Sequence, residues 1–110
     1  VNAAVSDVLL LLNTCPNAEV ARHIARALVE ERLAACVNLV PGLTSIYRWQ
    51  GQIEESTEVL LLIKTTCERL AALEARLPAL HPYELPELIA VEIDSGLTHY
   101  LDWVRSECAR

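Results

Sequence analysis

Two uninterrupted apolar runs, residues 8–12 (Val-Leu-Leu-Leu-Leu) and 59–63 (Val-Leu-Leu-Leu-Ile), constrain this chain more than any other feature. Each is far short of the roughly 20 residues that span a bilayer and has the length of a strand. Successive side chains of a strand point to opposite faces, so each run carries apolar groups on both sides of its sheet. The fold therefore needs two central strands and cover for two faces. A length of 110 residues suits a single domain, read as residues 1–110.

The remaining elements follow from local signals. Residues 13–17 (Asn-Thr-Cys-Pro-Asn) signal a turn and a helix cap. A helix over 18–32 then places Val20, Ala21, Ile24, Ala25 and Leu28 on one face and Glu19, Arg22, His23, Arg26 and Glu30 on the other. Residues 34–49 suit a strand broken at Pro41 and Gly42, and residues 53–66 suit another. With 50–52 (Gln-Gly-Gln) as the hairpin loop, Arg48 pairs with Glu54, Trp49 with Ile53, Ser45 with Thr57, Leu39 with Ile63, and Lys64 faces Asn38. Thr65 and Glu68 fit a capping box for a second helix with Leu70, Leu73 and Leu77 as its buried stripe, which Pro78 ends or kinks. Residues 81–87 (His-Pro-Tyr-Glu-Leu-Pro-Glu) read as a proline-bounded extended connection. Ile89, Val91 and Ile93 alternate with Ala90, Glu92 and Asp94 as a last strand, and 98–107 is a terminal amphipathic helix.

This order, strand, helix, strand, strand, helix, strand and a C-terminal helix, is that of an α+β, ferredoxin-like βαββαβ fold. Its first and third strands are central, which matches the two apolar runs. Helices joined by right-handed crossovers cover one face of such a sheet. Leu10, Leu12 and the alternate positions of 59–63 are left on the other. At about 25 cal/mol per Å², about 400 Å² of wet apolar surface would forgo roughly 10 kcal/mol, as much as a whole domain's stability. Self-association is the expected remedy. A strand over 53–66 would also run about 46 Å at about 3.3 Å per residue, so the hairpin tip projects from a compact body. It carries Ile46, Tyr47 and Trp49 for a neighbour to bury, and Glu54 and Glu55 to discourage open-ended pairing. A shorter ribbon that begins near Thr57 is the alternative.

Charge narrows the partners. Nine Lys and Arg against fifteen Asp and Glu give a net charge of −6, which offers no basic footprint for nucleic acid or an anionic membrane. The four cysteines, at 15, 36, 67 and 108, form no C-x-x-C pair, which favours reduced thiols in the cytoplasm over a disulfide framework. No leader-like N-terminus is evident. Nor is a Ser/His/Asp, Cys/His, paired-carboxylate or phosphate-loop constellation, so an enzyme is not expected.

Several motifs in order resemble the CutA family, named for divalent-cation tolerance. They are residues 13–17, 32–41 (Arg-Leu-Ala-Ala-Cys-Val-Asn-Leu-Val-Pro), 45–51 (Ser-Ile-Tyr-x-Trp-x-Gly), 53–55 (Ile-Glu-Glu), 58–65 (Glu-Val-Leu-Leu-Leu-Ile-Lys-Thr), 81–87 and 100–103 (Tyr-Leu-x-Trp). The resemblance implies a ferredoxin-like subunit in a homotrimer whose long strands pair between subunits, a role in copper or other divalent-metal tolerance, and structural kinship with PII signalling proteins. Some relatives carry a cysteine where this chain has Asn13.

Residue chemistry gives the metal reading a place. His81, Glu84 and Glu87 are three apart, and in a threefold polyproline-like segment such positions return to one side. Imidazole there suits Cu or Zn, and carboxylates suit harder ions. The structural alternative is a proline-fixed connection with solvated Glu84 and Glu87 and a His81 that caps the second helix. No cofactor is firmly required beyond such a weakly held divalent metal. The alternative function is a PII-like module that binds a small metabolite or anion in an inter-subunit cleft through Arg48, Lys64 and Tyr83. Tyr47, Trp49, Tyr100 and Trp103 read as contacts of the trimer, with Glu58 in an ion pair across its boundary.

Overall fold

A computed structural model describes residues 7–109. In it, β1 (Val8–Cys15), α1 (Ala18–Glu30), β2 (Cys36–Trp49), β3 (Gln52–Thr66), α2 (Cys67–Leu80), β4 (Ile89–Glu92) and α3 (Thr98–Cys108) follow in order. The strands form one antiparallel sheet in the order β2-β3-β1-β4, so the two apolar runs are central as expected.

Helix α1 starts where the sequence places it. The Asn17 side chain accepts a hydrogen bond from the Val20 amide at 2.9 Å and satisfies one of the free N–H groups of the first turn. Replacing this cap, Asn17→Ala, is expected to cost about 1 kcal/mol in urea unfolding, with the slope unchanged. The helix ends two residues earlier than the sequence suggests. Arg32 turns to a left-handed φ of 58°, and the Leu33 and Ala34 amides both return to the Leu28 carbonyl. The expected capping box at Thr65 and Glu68 does not form. Thr65 still belongs to β3, its buried hydroxyl donates to the Leu33 carbonyl at 2.6 Å, and Thr66 precedes the first helical turn instead. Pro78 lies inside the last turn of α2, where its missing N–H removes a single helical bond, and the helix runs on to Leu80.

Strand assignments change in four places, the simplest being that β4 ends at Glu92, short of the expected Ile93 and Asp94. β1 continues through Asn13, Thr14 and Cys15, because Asn13 and Cys15 share the inward phase of Leu9 and Leu11. The hairpin loop has two residues, Gln50 and Gly51, both with positive φ (50° and 80°), the geometry that matches strand twist. Tyr47 therefore faces Glu54, Arg48 faces Ile53, Trp49 faces Gln52 and Ser45 faces Ser56, in place of the expected Arg48–Glu54, Trp49–Ile53 and Ser45–Thr57 pairs. Between Val40 and Leu43 the register shifts again. There Pro41 and Gly42 together oppose Val59, a bulge with Gly42 at φ 79°. Beyond it Leu39 faces Leu61 and Cys36, rather than Asn38, faces Lys64.

The bulge re-aims half of the hairpin. Without it the even-numbered residues of β2 would stay on the face of Glu58, and Arg48 would be among them. With it, Leu43, Ser45, Tyr47 and Trp49 take that face and Arg48 turns to the other.

On the front of the sheet, Leu9, Leu11, Cys15, Val59, Leu61 and Ile63 pack against Ala21, Ile24 and Leu28 of α1 and Leu73 and Leu77 of α2. The rear is covered at one end only. Helix α3 follows the last strand and so escapes the crossover rule; its Val104 and Cys108 bury Val8 and Ala35 there, a cover the sequence reading did not foresee. The rest of the rear shows half-buried Leu10, Leu12, Leu60 and Leu62, with Ile89 54% and Val91 47% exposed beside them. The hairpin projects as expected, and the described body measures 47 × 31 × 24 Å. No helix among the described residues is long and apolar enough to cross a membrane.

Candidate functional site

A cleft of about 770 Å³ opens between the outer half of the hairpin and the connection 82–87. Its polar centre is Glu58, which is only 6% exposed. One carboxylate oxygen, Oε2, accepts the Tyr83 hydroxyl at 2.6 Å. Burial and this bond to a negative partner hold the Tyr83 phenol well above its ordinary pKa. Partial desolvation by the cleft wall, with the charge of Glu58 added, also raises the Glu87 carboxyl, although the residue as a whole is exposed. Ser45, Tyr47, Trp49 and Glu84 line the same space, and among the described residues no Lys, Arg or His does. The arrangement is an acidic cleft with aromatic walls.

The connection is held to β1 by two buried side chains. Asn13 donates from Nδ2 to the Glu87 carbonyl at 2.7 Å, and its Oδ1 accepts the Cys15 thiol at 3.2 Å. His81 is buried, with Nε2 at 2.9 Å from the Thr14 carbonyl and Nδ1 accepting the Tyr83 amide at 3.1 Å. A carbonyl only accepts and an amide N–H only donates, so these partners select the tautomer with its proton on Nε2. Both ring nitrogens are thereby used. The His81 and Tyr83 rings also stack obliquely at 4.7 Å.

This corrects the expected metal constellation. Residues 81–87 bend rather than extend, and His81 turns inward while Glu84 and Glu87 stay exposed. Among the described residues no three His, Cys, Asp or Glu side chains converge on a point that would hold an ion. Cys15 lies 3.8 Å from His81 Nε2, but burial, followed by the charge of Glu58, pushes its thiol up to about 11. A soft site built on thiolate and imidazole does not fit these residues. His81 does not cap α2 with its ring either; its backbone amide returns to the Pro78 carbonyl.

The expected anion cleft also separates. Tyr83 lines the cleft, but Arg48 stands opposite Ile53 and Lys64 opposite Cys36, about 36 Å apart along β3 at about 3.3 Å per residue. The Lys64 ammonium donates to Asn38. Glu58 and Lys64 each hold a partner within their own chain. Tyr47, Trp49, Tyr100 and Trp103 are each more than a third exposed, and Tyr100 and Trp103 stack at 5.6 Å. The sequence reading missed Asn13 as a buried tether. Its signal is the alternation Leu9, Leu11, Asn13, Cys15, a polar residue at an inward position.

Residues 9–107 match the family model described as CutA1 divalent ion tolerance protein. The chain belongs to the CutA1 family. It is 60% identical over 96 residues to the divalent-cation tolerance protein CutA of Thermus thermophilus, covering 87% of this chain and 93% of that relative. It is 55% identical over 92 residues to protein CutA of Homo sapiens, covering 84% of this chain and 51% of the human protein, so it spans about half of that longer relative. The fold superimposes on the crystal structure of CutA from Xylella fastidiosa with a TM-score of 0.92 at 53% identity, covering 94% of this chain and all of that one. These CutA relatives are named for tolerance or for the family, and none of the three names is that of an enzyme.

Proposed function

We propose that the chain serves divalent-cation tolerance as a homotrimeric binding protein, and that it holds divalent cations weakly, with most of their water, between Glu58 and Glu87. The observation that carries this reading is the lining of the cleft, which presents Glu58, Glu84 and Glu87 without a basic side chain. That favours a cation over the anion of a PII-like module. Carboxylates with retained water suit hard divalent ions. Copper or zinc would enter on the same oxygens, since His81 and Cys15 are committed elsewhere. The bare rear face supports the trimer, and four free cysteines suit a reducing cytoplasm.

Titration of Mn(II) into the full chain tests the site. Glu58→Gln keeps the shape and the acceptor for Tyr83 but removes the charge, and it is expected to weaken Mn(II) at least about tenfold, or about 1.4 kcal/mol. Cys15→Ser is expected to leave a Cu(II) isotherm unchanged. Equal Mn(II) affinity for the wild type and Glu58→Gln would remove the cleft from the function.

A further inference from the structure

The connection 81–87 has two roots on β1, and they differ in kind. At one end the Asn13 amide holds the Glu87 carbonyl, a bond between groups that do not titrate. At the other, His81 is 7% exposed and uses both ring nitrogens, Nε2–H toward the Thr14 carbonyl at 2.9 Å and Nδ1 as acceptor of the Tyr83 amide at 3.1 Å. That root exists only while the imidazole is neutral. Both contacts lie inside one chain, so the ring is covered whether or not copies of the chain assemble.

A proton on Nδ1 turns the acceptor into a donor that faces the N–H of Tyr83. Two donors then meet without an acceptor in a place closed to water, the costly case of a buried hydrogen bond left unmade. Tyr83 is also the residue whose hydroxyl serves Glu58 at 2.6 Å, so a shift of its backbone strips a buried carboxylate of its donor. A change at the ring is thereby passed on to β3.

The titratable groups around this root are the Cys15 thiol from β1, Glu58 from β3 by way of Tyr83, and Tyr83, Glu84 and Glu87 of the connection itself. Helices α1 and α2 bring Ala21, Ile24, Leu73 and Leu77 to the core that contains Cys15, and among the described residues no charged side chain of either bonds to the connection. Burial raises both Cys15 and Tyr83, so these two keep their protons at neutral pH and below. The remaining charges are negative, and none of them repels a proton from the ring.

We propose that His81 is a pH-sensitive latch: neutral, it pins the start of the connection to β1, and protonated, it releases residues 81–83 while Asn13 keeps the far end at Glu87. A free imidazole titrates at about pH 6.5. The opened chain binds a proton that the closed one excludes, so the stability that the latch adds is present above that range and lost as pH falls through it. This inference does not depend on what the cleft holds.

Nuclear magnetic resonance of the assembled, nitrogen-15-labelled full chain tests it. Imidazole nitrogen spectra are expected to show the proton of His81 on Nε2 above the titration range. Protection of the Tyr83 amide against hydrogen exchange, corrected for the intrinsic pH dependence of exchange, is expected to fall about tenfold for each pH unit below about 6.5. In His81→Asn an Oδ1 stands where Nδ1 stood and cannot titrate, so protection there is expected to stay level. His23→Asn, on the exposed face of α1, is expected to respond as the wild type does. If His81→Asn does not fold by circular dichroism, the wild-type tautomer and pH profile decide alone. A proton on Nδ1 above the range, or Tyr83 protection that stays level through it in the wild type, would overturn the proposal. An equal loss in wild type and His81→Asn would assign the opening to the carboxylates of Glu58, Glu84 and Glu87 and overturn it too.

Discussion

Leu62→Glu is expected to reduce the native particle to single chains at micromolar concentration, with the secondary structure of each chain kept. Leu62 faces Leu12 across the β1–β3 ladder on the rear of the sheet, and both are half-buried in one chain. In a lone subunit a carboxylate there reaches water at small cost. In a closed ring of identical copies the same substitution enters every interface, so several unpaired charges are desolvated together, at several kcal/mol each. Light scattering checks the mass and circular dichroism the fold. A mass that stays at three chains would mean that the rear face is not the contact, and the assembly would have to be rebuilt around the hairpin tip.

Leu11→Ala is expected to cost about 2–5 kcal/mol, a large share of the roughly 5–15 kcal/mol that a domain has. Leu11 is 0% exposed, lies on a central strand and packs against α1 and α2 in the main core. The cavity left behind has rigid strand neighbours on both sides, Ile63 and Ala90, so it collapses poorly. Urea unfolding at fixed chain concentration measures it, because association adds a concentration-dependent term. The same truncation at Leu10, one residue away on the rear, separates two situations. In an isolated chain Leu10→Ala should cost clearly less than Leu11→Ala, and in the assembled protein it should approach it. A cost at Leu10 that is small at every concentration would contradict a covered rear face.

The candidate site was less legible than the fold, and particular residues show why. His81, Glu84 and Glu87 were recognisable as a group with metal-binding chemistry. Their spacing has meaning only in an extended segment, and two backbone acceptors and donors, the Thr14 carbonyl and the Tyr83 amide, turned His81 inward. Glu58 reads in the sequence as one end of an ion pair across a subunit boundary, and nothing local shows that Tyr83 reaches it from 25 residues away. Gly51 was the available clue to the hairpin register, since a two-residue loop wants a positive φ at its second position, where Gly51 sits.

The identity and order of the strands and helices, the two central strands and the surplus apolar face were determined by the sequence alone. They depend on the alternation and periodicity of neighbouring residues, which act within a few positions of each other. The charge of the cleft was decided only in three dimensions. The bulge at Pro41 and Gly42 sets which half of β2 shares a face with Glu58, bringing Tyr47 and Trp49 in and taking Arg48 out. Where an extra residue enters a ladder is settled by the pairing of two whole strands and the packing of both their faces, a balance that no short window of the chain contains.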